Sequence, residues 1–192
     1  MKGLEEARKF YEEAGAEMIS RNFGDFENRI AVGLVGHGSE CFGFDDQTSR
    51  DHDFETGFCL WLTKEDEEKI GFYLMRAYDK LKAEYALKNG VGNARSSVES
   101  SAFKGVFTIG DFFRRYTGSD GAPTTWQEWL YTDSFYFAEA TNGEVFRDDL
   151  GEFTKIRNEI LHGMPEDVRI KKIGSCALRA AQSGQYNYAR CI

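Results

Sequence analysis

The residues with the clearest chemical pattern are a Gly-Ser pair and two aspartates. Gly38 and Ser39 close the run Val35-Gly-His-Gly-Ser39, and a gap of eleven residues separates them from Asp51 and Asp53. Glycine lets the backbone turn sharply and approach a ligand closely. A serine that opens a helix offers its hydroxyl and free N–H groups to phosphate oxygens, and two adjacent carboxylates hold a divalent cation. The pattern predicts a site for a metal ion and a nucleoside triphosphate.

Two strands are predicted to position these residues. Residues 30–35 form a short, continuous apolar run, which is typical of a buried strand. A second strand is predicted from Asp51 to Leu62. Side chains two residues apart point to the same face of a strand, so Asp51 and Asp53 are expected to lie side by side. Ser39 is expected to open a short helix between the two strands.

This pattern resembles the nucleotidyltransferase superfamily, whose fold is like the catalytic part of DNA polymerase beta. Its motif is a hydrophobic residue, Gly, and Gly or Ser, then a gap of similar length, then Asp, one residue, and Asp or Glu. Longer strings resemble, within that superfamily, a bacterial family catalogued as a domain of unknown function, the 4037 type. Those strings are residues 38–46, 49–54, 57–62, 143–146 and 165–168. The resemblance therefore covers most of the chain.

The resemblance implies an activity and a role for each motif residue. The implied reaction is the metal-dependent transfer of a nucleoside monophosphate from a triphosphate to a hydroxyl of a small molecule, a protein or an RNA end. Asp51 and Asp53 would be the catalytic carboxylates and would hold Mg²⁺ or Mn²⁺. Gly38 and Ser39 would bind the phosphates of the nucleotide. Neither the acceptor nor the choice of triphosphate follows from these motifs.

A third carboxylate is harder to find in the sequence. Active members of the superfamily usually add one from a neighbouring strand, but residues 102–108 contain no acid. Glu99 is the candidate for this position, and Glu55 lies far along the strand from Asp53 for sharing a metal.

The missing acid keeps two other function classes open. One is a catalytically weakened relative that binds nucleotide as a regulator. The other is an interaction protein, such as the nucleotidyltransferase-like half of a toxin–antitoxin pair, with the helical region as the partner surface. Whether the chain is an active enzyme therefore stays open at this point.

The expected fold is of the α/β (α+β) class. Residues 1–110 are predicted to form a small mixed nucleotidyltransferase-like sheet flanked by helices, and residues 111–192 a helical domain. The first twenty residues have the spacing of an amphipathic helix, and Thr63 with Asp66 is expected to cap another. Strands are predicted between 97 and 109. Asp111 is expected to cap the next helix.

Every later element is predicted to be helical. The predicted helices are 125–131, 134–141, 152–161 and 165 to about 182. Residues 185–192 have neither a Gly stop nor a polar tail. They resemble the middle of a helix, which indicates a fragment, or a short relative, with the helical domain truncated at its C-terminus.

Composition restricts the partners and the compartment. The formal charge of −8 argues against nucleic acid as a general partner, because sequence-independent binding depends on many Lys and Arg contacts to phosphate. No apolar stretch is long enough to span a membrane. The four cysteines contain no C-x-x-C pair, which argues against a zinc site and a disulfide framework. These features predict a cytoplasmic protein, and they leave its oligomeric state open.

Overall fold

The computed structural model describes residues 3–44, 57–89 and 103–190, with side chains up to residue 186. Asp51, Asp53, Glu55 and Glu99 lie outside the described residues. The predictions made for these four carboxylates therefore stay predictions.

A four-stranded mixed sheet lies at the centre of the fold. Its strands are β1 (Ala31–Leu34), β2 (Cys59–Leu62), β3 (Val106–Thr108) and β4 (Glu144–Arg147). The strand order is β3-β2-β1-β4. β1 is antiparallel to β2 and β4, whereas β3 is parallel to β2. The predicted mixed sheet flanked by helices is confirmed.

Helices cover both faces of this sheet. They are α1 (Gly3–Phe10), α2 (Ala16–Phe23), α3 (Ser39–Phe42), α4 (Lys64–Asp66), α5 (Phe72–Lys88), α6 (Ile109–Thr117), α7 (Trp126–Tyr131), α8 (Ser134–Thr141), α9 (Glu152–His162) and α10 (Glu166–Arg190). A π-helical turn at Tyr11–Gly15 joins α1 to α2, and another at Glu67–Gly71 joins α4 to α5. The amphipathic helix predicted for the first twenty residues is thus confirmed.

The core consists of two apolar clusters, one on each face of the sheet. Alternation along β2 divides its side chains, because successive residues of a strand point to opposite faces. Cys59 and Trp61 pack with α6, α8 and α9. Leu60 and Leu62 pack with α1, α2 and α5. The Trp61 ring stacks on Phe153 of α9 at 4.0 Å between ring centroids, so the helices that follow β3 cover one face of the sheet.

The prediction that the chain after Asp111 is entirely helical is wrong at β4. Residues 144–147 pair with β1 and extend the sheet. The segment is short and only half-buried, so its own sequence pattern is weak, and its extended conformation depends on hydrogen bonds to β1. The part of the chain predicted to be a helical domain therefore contributes one strand to the sheet.

Two helix caps can be compared with their predictions. The Thr63 hydroxyl accepts a hydrogen bond from the Asp66 backbone N–H, as predicted. The predicted cap at Asp111 is wrong, because Thr108 is the N-cap of α6 and accepts from the Asp111 N–H. Asp111 is the third residue of α6, and its carboxylate accepts a hydrogen bond from the Thr108 hydroxyl at 2.8 Å. Asp at the third helical position imitates a cap in sequence, because both positions favour an acid.

The last helix is longer than predicted and differs from the others in its surroundings. α10 extends to Arg190 instead of ending near residue 182. Val168 near its start is buried, whereas every residue from 173 to 186 is exposed. Among the described residues, no helix combines the length and the apolar character that crossing a membrane requires.

Candidate functional site

The Gly-Ser motif forms a tight turn between β1 and α3. Gly36 has a φ of 121° and Gly38 a φ of 127°, which are conformations that side chains with a Cβ rarely adopt. Gly38 is the N-cap of α3, and Ser39 is the first residue of that helix. Ser39 is exposed. The predicted geometry of the motif is therefore present: a glycine turn that ends a buried strand and presents a serine.

The Asn142 side chain, which lies 106 residues later in the sequence, fixes the first glycine of this turn. The Asn142 amide accepts a hydrogen bond from the Gly36 N–H at 2.8 Å and donates one to the Gly36 carbonyl, also at 2.8 Å. The next residue, Gly143, donates its N–H to the Cys41 carbonyl of α3 at 2.9 Å. The junction of α8 and β4 therefore holds both ends of the turn.

Tyr116 of α6 packs against the turn at Gly36. A Cβ at Gly36 would lie 2.6 Å from the Tyr116 hydroxyl oxygen, so only glycine fits at this position. Burial raises the pKa of the Tyr116 hydroxyl, and the nearby charge of Glu139 raises it further. The phenol is therefore neutral at physiological pH and can serve as a hydrogen-bond donor under the turn.

His37, between the two glycines, is paired with an acid. Its Nδ1 lies 2.8 Å from the Glu139 carboxylate, which is 5 % exposed, whereas the imidazole is 60 % exposed. The imidazole ring also packs against Phe103 at 4.8 Å between ring centroids. An acid at Nδ1 fixes the tautomer that carries the proton there. Glu139 therefore orients an imidazole that is largely exposed.

An ion pair lies beside Gly38. The Lys104 ammonium is 2.8 Å from the Glu40 carboxylate, and the two side chains are only 8 % and 14 % exposed. The Glu40 carboxylate folds back toward Gly38, where a Cβ would meet it at 2.5 Å. Lys104 precedes β3, so it brings a buried positive charge to the turn from the opposite side of β2.

The strand register brings the Gly36–Ser39 turn and Lys104 to the same end of the sheet. Because Gly33 pairs with Cys59 in an antiparallel ladder, the residues that follow β1 run beside those that precede β2. A Cβ at Gly57 would lie 3.4 Å from the Lys104 Cβ. The end of β1, the start of β2 and the approach to β3 thus meet where Ser39 is exposed.

Metal ligands are not assembled by the described residues alone. Within residues 3–44, 57–89 and 103–186, no group of three or more His, Cys, Asp or Glu side chains could hold a metal ion. Asp51 and Asp53, the predicted ligands, lie outside this part of the chain. As paired carboxylates they are of the donor type that Mg²⁺ and Mn²⁺ prefer.

A groove of about 680 Å³ lies at the other end of β3. Its lining includes Phe107, Thr108 and three basic residues, Lys64, Arg114 and Arg115. Arg114 forms ion pairs with Asp111 and Asp120, so its charge is compensated within the protein. The groove includes no residue of the turn, and we place the candidate site at Gly36–Glu40.

Two cysteines are buried near the turn, and their thiols are expected to be unreactive. Cys41 lies in α3 and Cys59 in β2. Burial raises the pKa of Cys59 to about 11 and raises that of Cys41 as well. The thiolate is the reactive form of cysteine. Neither side chain is therefore a nucleophile at neutral pH, whereas Cys176 on α10 is exposed.

We expect this difference to appear in thiol labelling at pH 8. Cys176 is exposed and should react readily, whereas the buried Cys59 should react at least roughly 100-fold more slowly, because only about one thousandth of a thiol with a pKa near 11 is thiolate at that pH. Labelling sites and rates would be followed by mass spectrometry in a Cys191→Ser background. The protein unfolded in urea is the control, in which all thiols should react alike. Equal rates at Cys59 and Cys176 in the native protein would contradict the placement of Cys59.

The sequence indicated some of these site residues and missed others. Gly38 and Ser39 lie in the turn as predicted. Glu139, Asn142 and Lys104 were not identified as site residues. A lysine within an apolar segment was an available signal for Lys104, and an Asn-Gly pair between two elements was one for Asn142. Their partners lie far away in sequence, so only the fold brings them to the turn.

Comparison with protein families gives one match. The model of a family described as a domain of unknown function (DUF4037) matches residues 129–192. Glu139 and Asn142, which contact the turn, lie inside the matched region. No curated protein and no solved structure is significantly similar to the chain. The C-terminal third of the chain is thus similar to a family of unknown function, and this third supplies two of the contacts that hold the turn.

Proposed function

We propose that this chain is a metal-dependent nucleotidyltransferase, which moves a nucleoside monophosphate from a triphosphate to a hydroxyl acceptor. The observation that carries the proposal is the turn at Gly36–Ser39, which ends a buried central strand and presents an exposed serine. Asp51 and Asp53 follow this turn at the spacing of the nucleotidyltransferase motif that the sequence resembles. The sequence order and the observed turn geometry support the same chemistry.

The turn supplies the phosphate-binding part of the proposed mechanism. Gly38 lets the backbone approach a phosphate, and the Ser39 hydroxyl donates a hydrogen bond to one of its oxygens. Asn142 and Tyr116 fix the turn before a ligand arrives, so little ordering is needed on binding. Positioning and electrostatic stabilisation supply most of the rate acceleration in phosphoryl-group chemistry.

Asp51 and Asp53 supply the metal-binding part. Their carboxylates would hold Mg²⁺ or Mn²⁺ beside the triphosphate. When bound, the ion neutralises the phosphate charge and stabilises the charge that develops during transfer. Two carboxylates that share one ion would repel each other without it, which would favour uptake of a divalent ion.

A nucleotide-binding regulator without transfer activity is the second candidate. The absence of an acid favours this candidate: residues 103–108, which include β3, contain no acid where a third carboxylate would be expected. At the end of this segment that lies nearest the turn, the charged residue is Lys104 instead. Such a protein would bind triphosphate and metal through the same residues but would not draw the proton from an acceptor hydroxyl.

Transfer of a labelled nucleotide separates the two candidates. The protein would be incubated with Mg²⁺ and each of four triphosphates labelled at the α-phosphate, in the presence of a cell extract that supplies acceptors. The enzyme should yield a labelled product with release of pyrophosphate, and the regulator should bind the nucleotide and leave the extract unlabelled. The Asp51→Asn variant provides the background.

We propose a cytoplasmic location for this reaction, because Cys41, Cys59 and Cys176 are free thiols.

Ser39→Ala should weaken triphosphate binding by roughly 10- to 100-fold. The lost contact is a hydrogen bond to a charged oxygen, which contributes about 1.5–3 kcal/mol. Turnover at saturating nucleotide should persist, because the serine binds phosphate and is not a covalent nucleophile. Isothermal titration would give the affinity, with Ser175→Ala on the exposed surface of α10 as the matched control. A nucleotidyl adduct on Ser39 that turnover requires, found by mass spectrometry, would overturn this role.

A further inference from the structure

We propose that Lys104 and Glu40 form an exchangeable charge pair, in which Lys104 leaves the Glu40 carboxylate and binds a phosphate oxygen when a triphosphate occupies the turn. Lys104 is then a second phosphate-binding residue, and Glu40 is the anion that the ligand displaces. The inference rests on the proposed function and names the cation that recognises its substrate.

The distances place the ammonium within reach of a ligand at the turn. Glu40 Oε1 lies 2.8 Å from the Lys104 Nζ and 3.0 Å from the position of a Cβ on Gly38. The Nζ is therefore no farther from that position than the sum of the two distances. A phosphate held at Gly38 and Ser39 thus lies within the range of a lysine side chain that changes its rotamer.

The backbone of Lys104 is anchored to the sheet, which makes the charge a fixed part of the site. The next residue, Gly105, accepts a hydrogen bond from the Leu60 N–H at 2.8 Å. The lysine stem passes beside Gly57, where a Cβ would contact its Cβ and Cδ at 3.4 Å. The exchange then requires a change of rotamer toward the end of the side chain.

Electrostatics favours the exchange for a highly charged ligand. A carboxylate carries one negative charge, whereas the phosphates of a triphosphate carry several, so the ligand attracts the ammonium more strongly. The pair is mostly buried, and screening by water is weak there. Without a ligand, Glu40 neutralises Lys104 and repels other anions from the turn. The pair therefore selects a polyphosphate over a singly charged anion.

Opposite effects of two substitutions test the exchange. Glu40→Gln removes the competing anion, so the affinity for inorganic triphosphate and for ATP with Mg²⁺ should rise by roughly 5-fold or more. Lys104→Met removes the cation and leaves Glu40 unpaired, so affinity should fall by roughly 30-fold or more. Lys104→Arg should restore most of the binding. Glu65→Gln and Lys69→Met, which break an exposed ion pair, are matched controls and should change neither affinity.

Titration calorimetry gives the affinities, and circular dichroism verifies the fold of each variant. A purely structural pair predicts that both substitutions lower the affinity or leave it unchanged. That result, with a parent that binds ATP and Mg²⁺, would overturn the inference alone. If Lys104→Met fails to fold, Glu40→Gln still decides, because an unchanged or lower affinity contradicts the exchange. A parent that binds neither inorganic triphosphate nor ATP would overturn the proposed function together with the inference.

Discussion

Asp51→Asn and Asp53→Asn should each weaken metal-dependent triphosphate binding by roughly 100-fold or more. Each substitution removes one carboxylate from the proposed metal site, and loss of one partner from a close charge pair costs about 2–5 kcal/mol. The stability of the protein without ligand should be unchanged or slightly higher, because two carboxylates placed to share a cation would repel each other when no cation is present. Calorimetric titration of ATP with Mg²⁺ would measure the loss of binding.

The control for these variants is Asp25→Asn, which changes an exposed acid by the same chemical step. It should leave both affinity and stability unchanged. Thermal unfolding of all three variants separates a lost site from a lost fold. Binding of Mg²⁺ and triphosphate by both site variants at parental affinity would show that the metal site lies elsewhere.

Gly36→Ala should lower the free energy of unfolding by about 3 kcal/mol and disrupt triphosphate binding. Gly36 has a φ of 121°, where a residue with a Cβ is strained by about 1–3 kcal/mol. The added methyl group would also lie 2.6 Å from the Tyr116 hydroxyl oxygen. Relief of both effects requires a shift of the backbone, which would break the two hydrogen bonds to Asn142. Urea unfolding monitored by circular dichroism would give the change in stability.

Gly118→Ala is the matched control for this substitution. Gly118 also has a positive φ, of 79°, but a Cβ there would meet no atom within 4 Å. It should cost only about 1 kcal/mol, the price of a left-handed conformation. Equal losses for the two variants would show that the packing of Tyr116 against the turn contributes nothing, and that strain alone decides.

Local patterns were enough to predict most of the regular elements. The apolar run that forms β1 and the cap at Thr63 are encoded within a few residues, so the sequence alone located both. α7, α8 and α9 begin and end within a residue or two of the predicted ranges. Each has a cap or a charged first turn, and these features act locally.

β4 could not be predicted in the same way. It has only four residues and begins shortly after the end of α8. It is extended because β1 offers hydrogen-bonding groups to pair with. The sequence of this segment gives no information on where β1 lies or on which side of β1 can accept another strand. Long-range pairing decided this element, and sequence periodicity carries little information about such pairing.

The candidate site shows the same division between local and distant information. Gly38 and Ser39 could be identified because a turn with φ above zero requires glycine at a fixed place. Asn142 and Glu139 could not, because they reach the turn from a helix about a hundred residues later in the chain. Lys104 could not be identified either, because its partner Glu40 lies in another element of the fold.

The Gly36–Ser39 turn is proposed to form part of a metal-dependent triphosphate site. Thermal unfolding of the full chain with ATP, GTP, CTP and UTP, each with and without Mg²⁺, tests it most directly. A ligand at a hundred times its dissociation constant stabilises the folded state by about 2.7 kcal/mol. For a chain of this length that corresponds to a rise of about 5–10 °C in the melting temperature. We predict such a rise with at least one triphosphate and only when Mg²⁺ is present. No rise with any of the four, or an equal rise without the metal, would contradict the account.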